Sequence, residues 1–198
     1  MNLAPASLSI LASLAFIACG NSKDGGDGDS KPGDNVEVTM DGPSLDWSGA
    51  ERKNISDIVD GIKFSIDLPA QLKREEKASD GTFPGYVTWN GPNPFLDPTF
   101  TAQIATYAPK DLAEAEASAL RGTDPREILG KGELAGGGFF VSAAETSKKY
   151  INVEVWRTSA ATGKVVRFSI GTRSSDAIPD LDKLRLWMEA VVSSFEVQ

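Results

Sequence analysis

The chain has 198 residues, 40% hydrophobic and 24% charged, with a formal net charge of −8 at pH 7. That balance argues against a nucleic-acid surface, which needs a basic patch to replace phosphate counterions. Histidine is absent and cysteine occurs once, which excludes imidazole catalysis, an internal disulfide and a structural zinc cluster. Residues 1–18 carry no charged side chain, and Leu8, Ile10, Leu11, Leu14, Phe16 and Ile17 form a short apolar run padded with Ala and Ser. A membrane-spanning helix needs roughly 20 apolar residues and a secretory hydrophobic region about 7–15, so the run matches the second.

Small residues precede Cys19 and Gly20 follows it. The segment Phe16-Ile17-Ala18-Cys19 resembles the lipobox of bacterial lipoprotein signal peptides: an apolar residue, a small or aliphatic one, Ala/Gly/Ser, then Cys. The resemblance implies cleavage before Cys19, a diacylglyceryl thioether on its sulfur and acylation of the new amino terminus. It places the protein in a bacterial cell envelope, anchored in membrane lipid through Cys19. Each buried methylene contributes about 0.8 kcal/mol, so two or three palmitate-type chains anchor firmly where one does not. Two positions depart from the family's habit, since the leading MNLAPAS has no Lys or Arg and Phe16 stands where Leu is usual. An ordinary cleaved signal would leave Cys19 a plain thiol, and a short buried helix is the other alternative.

Residues 20–35 read GNSKDGGDGDSKPGDN, with no apolar residue to offset the entropy of ordering. This predicts a flexible acidic tether that holds the following domain roughly 20 Å from the anchor. Asp24, Asp27, Asp29 and Asp34 lack the EF-hand register, so they read as linker charge and not as a calcium loop.

The remaining residues, 36–198, predict one α+β domain. Ile62, Phe64, Ile66 and Leu68 alternate with polar residues up to Pro69, a half-buried strand. Leu72–Lys77 reads as a charged edge strand. Phe83–Trp89 and Thr99–Tyr107 are strand-like, with Phe100, Ala102 and Ile104 on one face. Residues 111–120 are dense in helix formers, with Gly122 placed to end the helix. Ile128–Leu134, Phe139–Glu145, Tyr150–Arg157 and Val165–Gly171 follow as strands. A hairpin turn at Ala161-Thr162-Gly163 precedes the last of them. A second helix is expected over about Pro179–Ser194, with Leu181, Leu184, Met188, Val191 and Phe195 as its apolar stripe. Strand runs punctuated by two helices predict a twisted antiparallel sheet flanked by helices.

Phe64-Ser65-Ile66-Asp67-Leu68-Pro69 near the start and Ser194-Phe195-Glu196-Val197 at the end resemble the recurrent frame of PsbP-like proteins, which include bacterial DcrB-type lipoproteins. The likeness covers about residues 58–198 and implies an α/β/α sandwich of a kind that mostly binds or assists other proteins. The Trp usual a few residues after the Pro is missing, since Leu72 and Lys73 stand there, and residues 36–57 have no counterpart in the frame.

Several segments compete for a functional role. Gly136-Gly137-Gly138 fits neither GxxxxGK[ST] nor GxGxxG, and predicts a turn or bulge. The loop Asn90–Pro98 holds three prolines, which lower the cost of ordering it on binding. Trp89, Phe95 and Leu96 are therefore candidate contacts for a partner or ligand, against the alternative that they plug the core. Tyr150 and Trp156 share a strand face with Asn152 and Glu154, and packing under a helix is the expected arrangement. No GxSxG or SxxK motif occurs. The leading expectation is a non-catalytic lipoprotein whose domain binds or assists another envelope protein, without a cofactor or metal. The alternatives are a small-ligand-binding lipoprotein and a hydrolase using carboxylates.

Overall fold

The computed structural model describes Trp47, residues 49–93 and residues 97–198; the signal segment, Cys19, the tether, Phe95 and Leu96 lie outside the described residues. Strand β1 (Arg52–Val59) pairs antiparallel with β2 (Ile62–Pro69) through the turn Asp60-Gly61. Both turn residues have positive φ, 45° and 81°. That is the backbone of a two-residue loop matched to strand twist, and Asp-Gly adopts it readily. The other edge of β2 pairs with β10 (Glu196–Val197), closing a three-stranded sheet.

A second, seven-stranded sheet holds β3 (Lys73–Lys77), β4 (Tyr86–Asn90), β5 (Thr99–Ile104), β6 (Arg126–Glu133), β7 (Phe139–Glu145), β8 (Tyr150–Thr158) and β9 (Val165–Arg173). Its spatial order is β3-β4-β5-β9-β8-β7-β6, antiparallel throughout. The charged strand β3 lies at one edge, as its composition predicts. The chain is thus a mixed α+β protein with a large antiparallel sheet and two helices, α1 (Leu112–Ala119) and α2 (Leu181–Val192).

Strand alternation decides what each face meets. Val87, Trp89, Phe100, Ala102, Ile151, Val153, Val155, Val166, Phe168 and Ile170 point into the main core, where they meet β2, α2 and Phe195. Phe195 is wholly buried, with its ring 5.7 Å from Phe64 and stacked 5.2 Å from Phe168. Beside it the Asp67 N–H donates to Ser194 Oγ at 3.0 Å. The strand Phe64–Pro69 and the segment Ser194–Val197 therefore meet in space. At the surface Arg74 on β3 clasps Asp57 on β1 with bonds of 2.7 and 2.9 Å. Burial would raise the Asp57 carboxyl, but the Arg74 and Ile58 hydrogen bonds and the Arg74 charge hold it below its ordinary value.

On the opposite face α1 packs Ala115 and Ala119 over Val141, Ala143 and Trp156. The helix ends differently from the sequence expectation. Gly122 does not take a left-handed cap; instead Arg126 Nη1 donates to the carbonyls of Ala119 (3.4 Å) and Arg121 (3.1 Å). Helix α2 starts at Leu181, two residues after Pro179, because Asp180 is left-handed at φ 48°. Gly136, Gly137 and Gly138 form the β6–β7 turn, all at positive φ. At Gly138 a Cβ would fall 2.3 Å from the Trp156 carbonyl oxygen, so glycine is required there.

Phe195→Ala is expected to cost about 3–5 kcal/mol, because it removes a fully buried ring shared by both sheets. A urea titration of the variant checks this, and a loss below about 1 kcal/mol would show that the core refills the gap.

Candidate functional site

Seven strands spaced at about 4.8 Å make a sheet nearly 30 Å across. An eight-residue helix is about 12 Å long and about 10 Å wide. Helix α1 therefore cannot roof its face of the sheet; it sits mainly over β6 and β7 and reaches β8 only at Trp156. The uncovered part, across β5, β9 and β8, is a trough of about 1150 Å³. Its floor is built from the residues that alternate with the core positions: Thr99, Thr101 and Gln103 on β5, Arg167, Ser169, Gly171 and Arg173 on β9, and Tyr150, Asn152 and Glu154 on β8. Trp156 completes the β8 row but is buried beneath α1, as expected. Tyr150 departs from that expectation: among the described residues, two arginines and not a helix are what lie on its ring.

The Tyr150 ring lies 5.0 Å from the Arg126 guanidinium and 5.1 Å from that of Arg173. Gly171 makes room for this arrangement. A Cβ at Gly171 would stand 3.3 Å from Asn152 Oδ1 and 3.5 Å from the Tyr150 hydroxyl, so the floor is open where a side chain would fill it. Arg173 donates to Glu145 Oε1 at 2.6 Å, and the Glu145 side chain is only 4% exposed. Arg167 and Asn152 both donate to Glu154 Oε1, at 2.5 and 2.7 Å. At the wall, Arg121 lies over the Tyr107 ring at 5.6 Å, and the Tyr107 hydroxyl donates to Glu114.

Asp97 lines the same trough where the proline-containing loop enters β5. It is 3% exposed; its Oδ2 accepts the Asn93 N–H at 2.8 Å, and its Oδ1 has no hydrogen-bond partner among the described residues. Gly91 is needed beneath it, because a Cβ there would fall 2.5 Å from Asp97 Oδ2.

Among the three expected contact residues, Trp89 is corrected. It is 2% exposed, with its ring edge-on to Phe64 at 6.0 Å and 6.3 Å from Phe168. The parity of β4 turns it into the core, away from the trough, so it is a packing residue. The space beneath it is filled by these rings, where a small apolar ligand would have required a pocket. Phe95 and Leu96 lie outside the described residues. The arginines of the trough were not singled out in the sequence. The alternation Arg167-x-Ser169-x-Gly171-x-Arg173 is visible there, but β9's place between β5 and β8 is not.

Burial pushes the Tyr150 phenol above its ordinary value, and the charge of Glu154 adds to this, against the opposing pull of Arg126, Arg167 and Arg173. The phenol is consequently neutral, and a hydrogen-bond donor, across the physiological range.

No protein-family model matches the chain, and no curated protein does. Solved structures do. The Ran-binding protein Mog1p of Saccharomyces cerevisiae aligns at a TM-score of 0.50 with 13% identity, over 73% of this chain and 95% of that one. A structure of a Mog1 variant aligns at 0.51, with the same identity and coverage. Identity this low shows a shared fold, an antiparallel sheet with helices.

Tyr150 is expected to ionise at higher pH than a free tyrosine, and Tyr150→Phe should remove this late phase from an ultraviolet titration. The sign for stability follows. A phenol whose folded value is raised contributes fully below the unfolded value and loses that contribution as pH rises through the folded one. Wild type should therefore lose more stability than Tyr150→Phe at strongly alkaline pH, and equal losses would contradict the assignment.

Proposed function

We propose that this chain is a non-catalytic, partner-binding module held at a bacterial envelope membrane by lipid on Cys19, with residues 20–35 as its tether. The observation that carries the binding reading is the trough: a broad, polar face of a rigid sheet, left open by a short helix and lined by fixed arginines and a tyrosine. Arg and Tyr are enriched among the residues that dominate protein–protein binding energy. Its strands hold these side chains in place before a partner arrives, which lowers the cost of association. The fold shared with a Ran-binding protein supports a protein partner.

The finer architecture we assign is the PsbP-like α/β/α sandwich. Support comes from the contact between the Phe64–Pro69 strand and the Ser194–Val197 end, and from helices on opposite faces of the large sheet. The lipid anchor rests on the sequence from Phe16 to Cys19 and on the apolar run before it. A tether of that composition lets the domain sample partners near the membrane without fixing its orientation.

A photo-crosslinking residue at Ser175, on the exposed rim of the trough, should give a discrete adduct in intact cells. The same residue at Asn54, on the outer strand β1, should give none. Equal adducts at both positions, or none at Ser175, would remove the trough as the binding face. Cys19→Ser is expected to abolish lipid labelling and membrane fractionation of the full chain; a variant that matures and fractionates unchanged would refute the anchor.

A further inference from the structure

Resting on the partner-binding reading, we infer that the Tyr150 end of the trough recognises the side-chain carboxylate of an acidic residue on the partner protein, with Arg126 as the group that receives it. Three guanidiniums stand near Tyr150, and their partners differ. Arg167 is paired with Glu154, and Arg173 with the buried Glu145. Arg126 makes no ion pair among the described residues. It donates only through Nη1, to the carbonyl oxygens of Ala119 and Arg121, and its Nε–H has no hydrogen-bond partner. A guanidinium carries five N–H donors in a planar fork; with Nη1 bonded and Nε buried, Nη2 is the group of this one left to receive a carboxylate. The Tyr150 hydroxyl, neutral and a donor, likewise makes no hydrogen bond among the described residues.

Charge selects the acid. With Arg167 and Arg173 each ion-paired, Arg126 is the guanidinium of the three whose charge has no direct carboxylate partner among the described residues. A carboxylate matches it. A phosphate carries about −1.5 to −2 near neutral pH and overshoots it. Asp97 and Asp176 line the same trough and oppose the excess. Asp176 follows Arg173 beside Lys149, at this same end, so a second acid placed here would be repelled. The partner segment is therefore one with an isolated acidic residue, not a uniformly acidic run.

The test uses the isotope-labelled full chain and a short Gly/Ser peptide, blocked at both ends, with one central Glu, compared with its Gln twin and with inorganic phosphate. The Glu peptide should shift the amide resonances of Tyr150, Gly171 and Arg173 and bind about fivefold or more tightly than the Gln twin, with the difference shrinking at about 0.5 M salt. Arg126→Gln should erase the preference. Because Arg126 also ends α1, Tyr150→Phe is the second variant; it keeps the ring and should weaken the Glu peptide by about threefold without affecting the Gln twin. Lys183→Gln, on the exposed side of α2, should change nothing. Equal binding of the two peptides, a preference that survives Arg126→Gln, or phosphate acting on the same resonances at lower concentration would each overturn the assignment. If the Glu preference fails while the Ser175 adduct persists, only the carboxylate assignment falls. If the adduct is lost as well, the partner-binding reading of the trough falls with it.

Discussion

The packing of Phe195 between Phe64 and Phe168 is the contact from which the rest of the architecture follows. It joins a residue three before Gln198 to the first core strand and to the central strand of the large sheet. Around it, Ser194 bonds the β2 backbone, β10 extends the small sheet, and the Ser159 hydroxyl holds the last carbonyl oxygen. Helix α2 leads directly into this knot, so its position over β7, β8, β9 and β2 is fixed at the C-terminal end by the aromatic contact and along its length by Met188, Val191 and Val192. The contacts are long-range in sequence, which makes them costly to form in loop-closure entropy and cooperative once made.

That arrangement uses one face of the large sheet for nearly all of the core. Among the described residues the other face has a single short helix whose buried side chains are alanines, and the residues left over are polar by strand parity. The trough is therefore a consequence of asymmetry: a sheet too wide for the helix assigned to it. Arg126 connects the two halves of this face. One nitrogen satisfies carbonyls at the end of α1, and the same guanidinium flanks the Tyr150 ring. A change at α1 would be felt at the trough through this residue, as well as through Ala119 and Trp156, which line it.

Much of the fold was legible because alternation is a strong signal where one strand face is buried. Ile62–Leu68, Phe100–Ile104 and Val166–Ile170 read correctly for that reason. Strand β1 did not, although Asp60-Gly61 is a good hairpin pair. RKNISDIV lies at an edge, and only Val59 is fully buried, so no periodic pattern marks it. The two-residue strand β10 is too short to carry a period. Trp89 illustrates a different limit. Its neighbourhood to a proline-containing loop suggested a surface role, but the register of β4 with β5 sets it opposite Phe100, which is wholly buried. The trough's composition could be read from the sequence, since polar residues alternate with apolar ones on β5, β8 and β9. Its existence depends on strand order, with β9 between β5 and β8, and no local pattern encodes that order.

The net charge of −8 bears on how such a site works. An acidic chain repels acidic partners at distance, but at physiological ionic strength charges separated by more than about 8 Å are largely screened. Recognition of an acid must then act at contact, where geometry counts more than total charge. The arginines of the trough suit that regime. Glu154, Glu145, the α1 carbonyls and the Tyr150 ring already hold their guanidiniums, so little rotamer freedom remains to be lost on binding. The same internal pairing keeps their charge from extending far into solvent, which suppresses indiscriminate attraction to polyanions. A face built this way discriminates by the position of one acidic group and not by the sum of many.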